Sequence, residues 1–162
     1  LRTMQPRVAI LGRHPDGTLR DATVYGLPAS EIVTAVRFDG RLYFANVSFF
    51  EDAILDAVAA NPRARHLLVV GNGINEIDPS GEEVTRHVVQ RLRENGVTVA
   101  FSGLKKQVTD VMRATGLLEC IGAQNLFATA DQALEAIHAA AAEHGLDEAT
   151  SPLRPLPVRR FG

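Results

Sequence analysis

A chain of 162 residues with 46% apolar content can bury one sizeable core and is short for two, so a single compact domain is expected. Its 17 basic and 19 acidic residues leave a net charge of −2, which excludes the broad positive field that draws nucleic acid or an anionic membrane surface. No apolar run reaches the roughly 18 residues of a membrane-spanning helix and no segment reads as a secretory signal, so the piece is expected to be soluble and cytosolic.

The chain opens on Leu1 and enters an apolar run, residues 7–12, almost at once, which reads as a first strand in a piece of something larger. The polar stretch 13–30, with Pro15, Gly17, Gly26 and Pro28, predicts a long connecting loop. Alternation through Ile32, Thr34, Val36 and Phe38, then Asp39-Gly40, then Leu42, Phe44 and Asn46 predicts a hairpin with a two-residue turn. Ser48 and Glu51 have capping-box spacing before a helix carrying Phe50, Ile54 and Val58, which Asn61-Pro62 ends. Residues 66–70, His-Leu-Leu-Val-Val, have the unbroken apolar character of a parallel strand buried on both faces.

Ser80 and Glu83 predict a second cap, with Ser80 accepting a backbone N–H, before an amphipathic helix with Val84, Val88 and Leu92 on one face and a stop at Asn95-Gly96. A strand over 97–101, a turn at Gly103, a helix carrying Val108, Val111 and Met112 up to Gly116, and a short strand at 126–128 follow. Cys120 has no partner for an internal disulfide, and its neighbours Leu117, Leu118 and Ile121 predict a buried thiol in a reducing compartment. Thr129 and Gln132 cap a last helix with Leu134, Ile137 and Ala141 inward. The expected fold class is therefore α/β: a mixed sheet of about five or six strands, an N-terminal hairpin plus parallel strands, with about four helices. One domain is expected over residues 1–144, followed by a disordered tail at 145–162 with three of the eight prolines.

Loops leaving the C-terminal ends of parallel strands are where ligands and partners bind in such sheets, which points to residues 71–79, 102–105 and 129–131. Little there reads as catalysis. The five histidines, His14, His66, His87, His138 and His144, are scattered without the i, i+4 spacing of a zinc pair, and no metal site is expected. Gly71-Asn72-Gly73 lacks the third glycine of a dinucleotide turn, and no glycine loop is followed by Lys-Ser or Lys-Thr. Asn72, Gly73, Gly103, Lys105 and Lys106 are the candidate anion- or nucleotide-contacting residues, the lysines lying at a helix start. Asp78, Ser80 and Gly81 combine an acid, a hydroxyl and a tight turn at another helix start, and form the principal candidate locus.

Residues 73–81, the following helix, and residues 96–104 together resemble the STAS domain family, whose hallmark is an Ile-Asp-x-Ser/Thr-Gly turn that starts a helix; Ile77 to Gly81 matches it. The likeness runs from about Arg7 to Ala141. Residues 36–46, Thr115-Gly116-Leu117-Leu118, Ile121-Gly122 and 125–129 look like the branch attached to SulP-type anion transporters. That resemblance implies a non-catalytic regulatory and interaction domain at the cytoplasmic face of the inner or plasma membrane, within a sulfate, bicarbonate or dicarboxylate carrier. It implies no cofactor beyond weak GTP or ATP binding. The implied partners are the membrane domain of the parent transporter, a soluble protein such as acyl carrier protein, or a second copy, and no nucleic acid.

In the antagonist branch of the family the residue matching Ser80 is phosphorylated, which makes a free-standing anti-sigma-factor antagonist the alternative and a nucleotide-binding enzyme the second alternative. Acidic Asp78, Glu82 and Glu83 around Ser80, and the fixed φ of Pro79, favour a docking surface over a phosphorylation switch. An acidic partner would suit Lys105, Lys106 and Arg113.

Overall fold

A computed structural model describes residues 5–146 and 151–156. In chain order the elements are β1 (Arg7–Arg13), β2 (Leu19–Asp21), α1 (Ala22–Tyr25), β3 (Val33–Leu42), α2 (Val47–Ala59), β4 (His66–Ile77), α3 (Pro79–Glu94), β5 (Thr98–Ser102), α4 (Lys106–Thr115), α5 (Leu117–Ile121), β6 (Leu126–Phe127) and α6 (Ala130–Glu143). They build one six-stranded sheet in the order β2-β1-β3-β4-β5-β6. β1 runs antiparallel to β2 and β3, while β3, β4, β5 and β6 run parallel to one another. The expected mixed α/β sheet is therefore present, with its antiparallel part at the N-terminal end.

Alternation along the central strands divides the apolar residues between two cores. Val36, Phe38, Leu67, Val69, Val99 and Phe101 point to one face, where Phe50 and Ile54 of α2, Val88 and Leu92 of α3, Val108 and Met112 of α4, and Leu117 and Ile121 of α5 cover them. Val33, Ala35, Leu68, Val70 and Ala100 point to the other, where α6 supplies Leu134, Ile137 and Ala141. Small side chains on that second face let one helix lie close to the sheet. Phe38 and Phe50 meet edge to face, with centroids 5.3 Å apart and planes at 89°.

Several local expectations are corrected. Asp39-Gly40 is not a hairpin turn: β3 continues through it, because β1 and β4 already hold both edges of the strand and leave no place for residues 42–47 to fold back. The pair sits instead at register shifts against β4, where Gly40 takes φ +142° and Asp39 accepts from Arg37 Nε at 2.9 Å. A bulge and a tight turn draw on the same residue types, so the sequence pattern does not separate them. The stretch 13–30 is also more than a loop. His14 to Thr18 forms the turn of the β1–β2 hairpin, and Asp21 caps α1 by accepting from Thr23 N at 2.9 Å and Val24 N at 3.1 Å.

Ser48 does not cap α2. The helix begins one residue earlier, at Val47, and the preceding Asn46 turns its side chain to the Arg41 carbonyl, 2.8 Å away. Thr129, by contrast, does cap α6, accepting from Gln132 N at 3.1 Å. Cys120, expected to be buried, is half-buried. Within the expected tail, Ser151 and Leu153 are buried, Leu153 within the α6 core. Residues 147–150 and 157–162 lie outside the described residues.

The assignment of inward and outward faces on α2 is directly testable. Phe50→Ala removes a ring that is 1% exposed and should lower unfolding stability by about 3–5 kcal/mol, whereas Phe49→Ala, on the outer face, should change it by no more than about 0.5 kcal/mol. Urea denaturation of the two variants beside the parent chain reads the difference.

Candidate docking site at the start of α3

β4 outruns β5 by several residues at its C-terminal end, pairing with β3 as far as Leu42 opposite Ile77. Ile77 is buried there, and Asp78 turns the chain into α3. The Asp78 backbone is extended, with φ −104° and ψ 177°; one carboxylate oxygen accepts from Gly81 N at 2.8 Å and the other from Phe44 N at 3.0 Å. Its own N–H donates to Leu42 O at 3.0 Å. A single aspartate thus ties the entry of α3 to the chain leaving β3. Pro79 follows at the first helical position, where its missing N–H is no loss and its fixed φ suits the helix.

Gly81 has a steric reason. A Cβ at this position would lie 2.1 Å from Leu42 O and 2.8 Å from Leu42 C, so only glycine lets the first turn of α3 rest on the end of β3. Thr85, buried one turn later, donates its hydroxyl to Gly81 O at 2.7 Å. The predicted cap is therefore reassigned: Asp78 caps α3, and Ser80 lies inside its first turn with no capping role. The spacing to Glu83 pointed to Ser80, and the close approach to Leu42 sets where the helix begins and gives the cap to Asp78 instead.

Ser80 instead borders an open groove of about 370 Å³ between α2 and α3. Val47 and Val84 form its apolar part, and Phe44, 78% exposed, stands at its lip. Glu51, Glu83 and His87 complete it, with His87 Nε2 3.8 Å from Glu51 Oε2. Glu82, expected beside Ser80 in an acidic surround, is buried and takes no part in the groove wall; its Oε1 has no hydrogen-bond partner among the described residues. The site combines a rigid base with an exposed aromatic ring and an acidic rim, which suits binding of a protein surface.

The second candidate group is not part of this groove. Asn72 and Gly73, expected in a loop, lie within β4, and the strand carries on to Ile77, on the order of 16 Å along its axis from Asn72. Gly73 makes room for Asp39, whose Oδ1 would be 1.6 Å from a Cβ. Gly103, at φ +68°, is filled in the same way by the Asn72 side chain, 2.2 Å from a Cβ. Both glycines are thus explained by neighbouring side chains and form no open cradle. Lys105 precedes α4 and donates to Asn75 Oδ1. Lys106 and Arg113 both engage Asp110, at 2.8 and 3.2 Å. The hydrogen bond from Lys106, with the charges of Lys106 and Arg113, holds the Asp110 carboxyl below its usual value, so the expected basic patch is interrupted by a carboxylate. Among the described residues no group of three or more His, Cys, Asp or Glu side chains is placed to hold a metal ion.

Phe44, Val47 and the Leu42 carbonyl were not singled out as functional in the sequence. An aromatic pair, Tyr43-Phe44, immediately before a helix is the available signal, but its alternation with Leu42 and Ala45 fits a strand equally well.

A mixed sheet whose long parallel strand ends in an Ile-Asp-Pro-Ser-Gly helix entry defines a STAS-type domain. A family model described as "STAS domain" matches residues 27–133, and the chain belongs to that family. The chain is 27% identical over 146 residues to high affinity sulfate transporter 2 of Stylosanthes hamata, with 83% of this chain and 22% of the transporter covered. Among solved structures, murine Slc26a9, an anion transporter in the inward-facing state, matches with a TM-score of 0.76 at 18% identity, over 85% of this chain and 23% of that one. The SulP transporter STAS domain from Vibrio cholerae matches with a TM-score of 0.56 at 19% identity, over 76% of this chain and 92% of that one. The chain thus spans about a fifth of the length of the full transporters it matches. Among the described residues no helix is long and apolar enough to cross a membrane.

Capping by Asp78 rather than Ser80 makes a contrast that stability measurements can read. Asp78→Ala should cost about 1 kcal/mol or more through loss of the cap, while Ser80→Ala should stay within about 0.5 kcal/mol. Gly81→Ala should destabilise as well, since its Cβ meets backbone. Equal effects at Asp78 and Ser80 in urea titrations would reverse the assignment.

Proposed function

We propose that this chain is the regulatory and docking domain of a SulP-type anion transporter of the sulfate class, and that it acts by binding rather than by catalysis at the cytoplasmic face of the membrane. The observation that carries this reading is the groove beside Ser80: an aromatic side chain 78% exposed, on a base immobilised by Asp78 and Gly81, next to apolar Val47 and Val84. Exposed aromatics on rigid backbone are favourable anchors at protein interfaces, because little conformational freedom is lost on docking. The membrane domain of the same transporter is the partner we favour. Such a contact biases transport when it is stronger in one state of the transport cycle than in another.

The reading is tested in the full-length transporter by sulfate uptake into proteoliposomes. Phe44→Ala and the double variant Phe44→Ala with Val84→Glu should change the uptake rate by about fivefold or more, the span of a coupling energy of about 1 kcal/mol. Ser80→Ala should leave uptake within twofold, roughly the span of about 0.5 kcal/mol. Unchanged uptake in both Phe44 variants, with the domain still folded, would remove the groove from regulation.

A further inference from the structure

The outer edge of β1 is only half covered. β2 pairs with Leu11, Gly12 and Arg13 and then turns into α1 at Asp21, so residues 7–10 have β3 on one side and no strand on the other. The hairpin fixes which backbone groups this leaves open. His14 N donates to Thr18 O at 2.9 Å, and in an antiparallel pair the residues that bond to a given neighbour recur at every second position. Ala9 and Leu11 both pack into the second core, so the alternation runs unbroken along the strand. His14 and Gly12 therefore bond toward β2, and Val8 and Ile10 present their N–H and C=O groups on the same side, beyond the point where β2 stops.

An open groove of about 380 Å³ lies along this edge. Ala53, Asp56, Ala57 and Ala60 of α2 form its opposite wall, and Asp21 and Thr23 stand at the end where β2 stops. Val8, Ala9 and Ile10 line it in succession. Val8 packs against the first core and Ala9 against the second, so a groove that meets all three residues meets the backbone itself. The alanines keep the helix wall low, and Ile10 is left 39% exposed. Asp56 is exposed and pairs with no basic side chain among the described residues. Asp21 uses one carboxylate oxygen for the α1 cap and has the other free among the described residues. Strand edges are ordinarily blunted by charge, proline or an overlying element; here Pro6 and Arg7 guard only the start of the strand.

We propose that the open edge of β1 is a second docking site, which takes an extended basic segment of a partner polypeptide as an added strand in line with β2. The main chain of that segment bonds to Val8 and Ile10. A small or β-branched apolar side chain rests on Ala53 and Ala57, and arginine or lysine on either side of it reaches Asp21 and Asp56. Main-chain bonds supply affinity without regard to sequence, while the shallow floor and the two carboxylates select the side chains and repel an acidic segment. Val47 and Glu51, which border the groove beside Ser80, lie on the opposite flank of α2 from Asp56 and Ala60, so the two sites are separate.

Titration of the 162-residue chain with a blocked peptide, Thr-Arg-Thr-Val-Thr-Arg-Thr, followed by proton–nitrogen NMR, tests the proposal. Its arginines and valine share one side of an extended chain. The amides of Val8 and Ile10 should shift and gain protection from solvent exchange, while those of Phe44 and Val84 stay unchanged. Asp21→Asn combined with Asp56→Asn, which keeps the α1 cap, should weaken binding about fivefold, and the peptide with glutamate in place of arginine should not bind. Strand addition also makes alternate peptide N–H groups unequal. Of two analogues, one N-methylated at its arginines and valine and the other at the threonines between them, one should lose binding and the other keep it. Shifts confined to residues outside 7–10, equal binding of the acidic peptide, no change in the double variant, or equal behaviour of the two N-methylated analogues would each overturn the proposal. The peptide analogues are read on the unaltered chain, so the decision does not depend on a variant that folds.

Discussion

The carboxylate of Asp78 holds together the two parts of the molecule on which the docking site depends. One oxygen closes the first turn of α3 and the other takes the N–H of Phe44, so the helix entry and the chain leaving β3 cannot move independently. The contact is short enough to require Gly81, since any side chain there would strike the Leu42 carbonyl. Phe44 owes its exposed yet fixed position to this clamp. An aromatic ring on a loose loop would pay an ordering cost on binding that a clamped one largely avoids.

Around this clamp the sheet is covered unequally. Four helices lie over one face, while the other is covered by α6 and by the segment around Leu153. The docking groove and the open edge of β1 both border the first core, on opposite flanks of α2, while Leu153 belongs to the second. The parallel strands shared by those cores give a physical connection between them, and β4, with buried residues pointing both ways, is its centre. The family match ends at residue 133, before most of α6 and the segment around Leu153. The second face is thus partly built from segments beyond the matched region.

Most of the architecture was legible in the chain because it follows from local rules. The period of apolar residues marked α3, α4 and α6, the unbroken run at 66–70 marked a buried strand, and Asn95-Gly96 and Gly116 marked helix ends. The Asp-Pro-Ser-Gly turn announced both the site and the family. Asp39-Gly40 failed as a turn because hairpin and bulge share a composition, and the choice belongs to whichever strands occupy the edges of β3. The length of β4 beyond Val70 was hidden for a related reason: Gly71 and Gly73 look like loop residues until Leu104 and Asp39 are seen filling the space beside them.

By itself the sequence determined the fold class, the helix carrying the candidate site and the family to which the domain belongs, since periodicity, turn chemistry and an ordered set of motifs are properties of neighbours in the chain. Tertiary structure alone decided that Asp78 and not Ser80 is the cap, that Phe44 stands exposed over the groove, and that Ser151 and Leu153 are interior residues. Each of those outcomes depends on a contact between residues far apart in the chain: Asp78 with Phe44, Gly81 with Leu42, Ser151 with Ser30. No local pattern encodes which distant carbonyl or hydroxyl will arrive.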